Sequence, residues 1–86
     1  MATVTNTSSQ PSQRGQSVLV RVTDADMVSV LASIPVGTSV SCGSNTGLVS
    51  KIDTYGNGFY ITPKNPTKSF SGATNGYFLS TETVTY

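Results

Sequence analysis

Hydrophobic and polar residues alternate most regularly along Gly47–Thr62, read GLVSKIDTYGNGFYIT. Leu48, Ser50, Ile52 and Thr54 fall on one face, and Val49, Lys51, Asp53 and Tyr55 on the other. That period of two is the mark of a half-buried strand. After Gly56-Asn57-Gly58, the run Phe59–Thr62 consists of good strand formers. Asn-Gly between two such runs predicts a β-hairpin whose primed turn needs positive φ at both Asn57 and Gly58.

Upstream, Ser17–Val22 sets Val18, Val20 and Val22 against Leu19 and Arg21, which predicts a strand with one buried face. Thr23 then opens TDADMVSVLASI. Thr23 with Asp26 resembles a capping box, and Asp24 and Asp26 suit the positive end of a helix dipole. Met27, Val30, Leu31 and Ile34 recur at helical spacing as one apolar stripe, and Pro35 ends the helix. Alternation returns over 36–42, placing Val36, Val40 and Cys42 on one face, and 43–47 is turn chemistry. Residues 63–76 hold two prolines and two glycines without a period and read as a long loop. Tyr77–Thr81 reads as the last strand, with Glu82–Tyr86 either extending it or hanging free. Residues 1–16 are a polar tract with too little apolar surface to offset ordering, hence a flexible N-terminal arm. The expected architecture is α+β, mostly β. It is a small SH3-like or OB-like partly open barrel of about five strands with one short helix, in a single domain over 17–86.

Composition narrows the function. Five cations and four carboxylates leave a net charge of +1, with no basic stripe for duplex nucleic acid. No apolar run approaches the length of a membrane span. The first residues lack the basic and apolar regions of a signal peptide, so the protein is expected to be intracellular when made. Under that expectation the sequon Asn6-Thr7-Ser8 carries no meaning. One cysteine excludes an intrachain disulfide and a multi-thiolate metal site.

Catalytic chemistry finds few candidates. Without histidine the chain lacks the commonest general base and metal ligand. Cys42 has no adjacent cation to lower its pKa and reads as a small buried hydrophobe. Asp24 and Asp26 read as capping residues, and Asp53 with Lys51 as a solvated strand face. Gly43–Gly47 with Lys51 lacks the Gly-Lys-Ser/Thr of a phosphate loop. No catalytic, cofactor-binding or metal-binding residue is assigned, and no cofactor is expected.

Partner-binding candidates remain. In the long loop, Phe70 with Lys64 and Lys68 is a contact point for a partner protein, or else Phe70 folds back over the core as a lid. Tyr60 and Phe78 would cover an edge or an assembly interface. Together with Tyr55, Lys51 and Arg21 they could also stack single-stranded bases.

The arm TVTNTSSQPSQRGQ, the charge-poor Ser/Thr-rich strands and the hairpin TYGNGFYIT are similar in layout to small virion proteins of tailed bacteriophages, of head-decoration or head-fibre type. The chain lacks the repeats of a simple fibre and a coiled-coil stretch. The resemblance implies a non-enzymatic structural protein located in the virion, which caps or cross-links capsid subunits. Its partners would be a major capsid or other shell protein and further copies of itself as a dimer or trimer. Neither nucleic acid nor a membrane is among the expected partners. The alternatives are a small-barrel adaptor or inhibitor acting through the 63–76 loop, and a single-stranded nucleic-acid-binding module.

Overall fold

The computed structural model describes residues 2–70 and 77–86. Among these, the elements run β1 Thr3–Thr5, β2 Gln10–Pro11, β3 Val18–Arg21, α1 Asp24–Ser33, β4 Ser39–Cys42, β5 Asn45–Asp53, β6 Gly58–Pro63, β7 Tyr77–Phe78 and β8 Thr83–Thr85. Six strands make one antiparallel sheet in the order β1-β8-β4-β5-β6-β3, and β2 pairs with β7. The fold is α+β and mostly β, a partly open barrel whose main sheet has six strands rather than five. Alternate residues of the strands, such as Val20, Val49, Phe59 and Ile61, fill its interior, and Met27, Val30 and Ile34 of α1 add to them.

The helix starts where expected, with Thr23 Oγ1 accepting from the Asp26 N–H at 3.2 Å. It ends with the Ile34 N–H on the Val30 carbonyl, just ahead of Pro35. Its buried stripe is narrower than the sequence suggests. Met27, Val30 and Ile34 reach the core, whereas Leu31 faces solvent, because the helix meets the curled sheet along one seam only. Val36 is also exposed. It lies in the turn after the helix, where Gly37 at φ 96° redirects the chain and hands its N–H to Val49. Alternation therefore starts at Ser39.

The central hairpin forms with β5 and β6 paired from Gly47↔Pro63 to Asp53↔Gly58. Its connection differs from the expected primed turn. Four residues, Thr54–Asn57, close the loop, and of the Asn-Gly pair only Asn57 has positive φ (52°). Gly58 is a strand residue pressed against the Val20 carbonyl, where a Cβ would lie 2.1 Å from that oxygen. A bulge between Val49 and Lys51 shifts the inward phase from Val49 to Ile52, so the strict alternation across Ser50 is broken. The turn at 43–47 is shorter than expected, since Asn45 already pairs with Cys42 and Gly47 packs inside β5.

The largest correction concerns the N-terminal stretch, which belongs to the domain rather than hanging from it as an arm. Thr3–Thr5 pair with Thr83–Thr85, so the C-terminal residues form an inner strand between β1 and β4. Beyond β1, Asn6 is fully buried, at 0 % exposure. Its side-chain amide donates to the carbonyls of Phe78 (3.0 Å), Leu79 (2.9 Å) and Ser8, and its Oδ1 accepts from the Arg21 N–H at 3.2 Å. Its backbone bonds Glu82 and Thr81, and the Thr7 N–H reaches the Arg21 carbonyl at 2.9 Å. A polar tract can thus be ordered by hydrogen bonds where apolar burial is scarce. The sequon asparagine is shielded from any modifying enzyme in this fold.

Replacing Asn6 with Ala leaves the Phe78 and Leu79 carbonyls and the Arg21 N–H without their partner. Asn6→Ala should cost roughly 3–5 kcal/mol of unfolding free energy, measured by urea denaturation.

Candidate functional site

The hairpin tip is held from three sides. Asp53 Oδ1 accepts from the Gly56 N–H at 3.0 Å, and Arg21 Nη1 donates to the Gly56 carbonyl while lying 3.7 Å from Asp53 Oδ2. The Val22 N–H bonds the Asn57 carbonyl at 2.8 Å, and the Asn57 amide donates to Asp24 at the start of α1. Asn57 tolerates its left-handed backbone because its short polar side chain finds such a local partner. A Cβ at Gly56 would lie 1.8 Å from Arg21 Nη1, so the guanidinium can stay on the turn only while that position is a glycine. The outcome is a fixed turn that presents Tyr55 at 100 % exposure.

The Asn57–Asp24 bond joins this tip to one face of the helix. Asp24, Val28 and Leu31 follow at i, i+4 and i+7, which puts them on a common stripe. Val28 is 70 % exposed, Leu31 58 % and Val36, just past the helix, 62 %. No charged residue occurs between Asp26 and Lys51. An outward helix face normally carries Lys and Glu; beyond Asp24 at its start this one carries no charge, which makes it a candidate contact surface.

The expected partner-binding residues separate into two groups. Phe70 and Phe78 are fully buried and stack on each other with ring centroids 5.8 Å apart, so they are core residues and not surface contacts. Phe70 takes the course of a lid, because burying its ring outweighs leaving it in water beside Lys68. Lys64 and Lys68 remain on the surface, Lys64 donating to Ser39 Oγ at 2.8 Å. The rest of the proposed adaptor loop, 71–76, lies outside the described residues. Tyr60 is half-buried on the outer sheet face with Lys51 Nζ 5.8 Å from its ring centre. The base-stacking set is not assembled: Phe78 is inside, Arg21 is engaged at the tip, and Lys51 covers Tyr60.

At the other end of the hairpin, Ser44, Asn45, Thr46, Asn65, Lys68 and Ser69 line a polar cleft of about 220 Å³. Cys42 is buried, its thiol 3.7 Å from Glu82 Oε1. Among the described residues no group of three or more His, Cys, Asp or Glu could hold a metal ion, and no helix is long and apolar enough to cross a membrane. The exposed helix face was missed by pattern reading, although the long uncharged run was its visible signal. Searches against family models, curated proteins and solved structures find no match.

Gly56→Ala should displace Arg21 from the turn and cost roughly 1.5–3 kcal/mol, the worth of a hydrogen bond from a charged donor. Thermal unfolding of the variant checks this, with the amide resonances of Arg21 and Asp53 as local reporters.

Proposed function

We propose that this chain is a non-enzymatic structural protein that decorates or stabilises a shell through subunit–subunit contacts, in a tailed-phage virion. The observation that carries the reading is the helix face of Val28, Leu31 and Val36, apolar, exposed and free of charge. Burying three such side chains against a shell subunit is worth roughly 5 kcal/mol gross, enough to anchor a contact that many copies repeat. The low charge also fits a surface meant to be covered, since only 10 % of residues are charged. Support for the phage setting comes from the resemblance in composition and layout described above.

Co-sedimentation with phage heads encoded alongside the chain tests the reading. Wild-type protein should pellet with heads at a fixed ratio to shell subunits. Leu31→Lys should reduce binding more than tenfold while leaving circular dichroism unchanged, because Leu31 is outside the core. Wild-type protein that stays in the supernatant would refute shell docking.

A further inference from the structure

The charges of the molecule are sorted by end. Asp24, Asp26 and Asp53 lie toward the hairpin tip, against Arg21 and the Lys51 of the same hairpin, which leaves that end net negative by one charge. Arg14, Lys64 and Lys68 gather at the opposite end. Lys64 follows β6 and bonds Thr46 at the start of β5, and Gly15, next to Arg14, bonds the Lys68 carbonyl. Glu82 is near that end too, but its carboxylate turns inward to the Leu79 N–H (2.6 Å) and the Cys42 thiol. That end is net positive.

Shape follows the same division. The negative end carries a projection, the fully exposed Tyr55. The positive end carries a hollow, the polar cleft floored by Lys68 and Asn65. Strand β5 separates them, since its nine residues run from the cleft at Asn45 to the tip at Asp53. At a rise of about 3.3 Å per residue its eight steps span at most about 26 Å, against the molecule's longest dimension of 31 Å. A cleft of about 220 Å³ is smaller than ordinary cofactor pockets and suits one inserted side chain.

We propose that copies of this chain assemble head to tail, with the Tyr55 tip of one copy seated in the Lys68 cleft of the next. The Lys68 ammonium meets the tyrosine ring as a cation–π partner, and the polar wall of Asn65 and Ser44 receives the phenol hydroxyl. Around that knob, Asp24 and Asp53 face the Arg14 and Lys64 side of the neighbour. The occupant is a second copy because projection and hollow match in charge and size on one chain and lie at opposite ends. A contact of this kind is heterologous and propagates, closing into a ring where the rotation permits and growing as a filament where it does not. The inference goes beyond shell docking and uses a surface distinct from Val28 and Leu31, so either can fail without the other.

Light scattering from about 10 μM to about 1 mM gives the first reading, where the wild-type mass should rise with concentration and fall back in about 0.5 M salt. Tyr55→Ala and Lys68→Glu should each weaken association more than tenfold. Both positions are on the surface, so native circular dichroism is expected, and Leu31→Lys serves as a variant that keeps self-association but loses shell binding. The decisive step mixes the two defective variants. Lys68→Glu retains a working tip and Tyr55→Ala a working cleft, so an equimolar mixture should form dimers and stop there. A strictly monomeric wild type, association that survives both variants, or a mixture that stays monomeric would each overturn the proposal.

Discussion

One buried amide, with the Thr7 N–H beside it, bridges the open side of this barrel. Asn6 spans the gap between strands that no sheet pairing joins, reaching the edge of β3 through Arg21 and the β7–β8 turn through Phe78, Leu79 and Glu82. A buried polar group of this kind is costly unless fully satisfied, and here the partners are backbone groups that would themselves be orphaned without it. The geometry is demanding enough to hold Thr81 at φ 80°, a conformation that β-branched residues rarely adopt, while its N–H bonds the Asn6 carbonyl. Strain at one residue is tolerated because several hydrogen bonds close at the same place.

Local chemistry explains what could be read in advance. A capping threonine, a first turn of aspartates and a terminating proline act within a few residues, so the helix was legible almost to its ends. The hairpin was legible for the same reason, and β3 followed from three valines at period two. What escaped depends on residues far apart in the chain. β1 and β8 are both Thr-Val-Thr, too short to show a period, and each becomes a strand only because the other lies beside it. The β5 bulge appears only when β5 is set against β6. Phe70 could be read as a surface contact or as a lid, because its neighbours are polar and its stacking partner Phe78 is separated from it by residues outside the described set. At the candidate site, Tyr55 was visible as an aromatic, but its complete exposure follows from the Arg21–Asp53–Gly56 clamp beneath it.

The scarcity of charge gives the surface its character. With nine charged side chains in the whole sequence, each one matters to the field, and most of them stand toward the two ends. Two kinds of contact are thereby kept apart. The apolar helix face suits a tight, short-range fit that ionic strength barely affects, whereas the charged ends favour orientation and respond to salt. On the proposed reading, adhesion to a surface and ordering among neighbouring copies would use different faces.

The pairing of β1 with β8 also governs when the molecule can come into being. Strand β1 is separated in sequence from its partner β8 by every other element of the fold, so it stays unpaired until the segment between them has been made. Contacts of such long sequence separation slow folding, since chain closure must be paid in entropy before the contact returns anything. Strands β3 to β6 with the helix can assemble earlier, from near neighbours. Closing the seam is then the final step, and until it happens the interior stays open along one side. On the proposed reading, a copy that docked on a shell before that moment would finish folding in place, with the particle acting as the template.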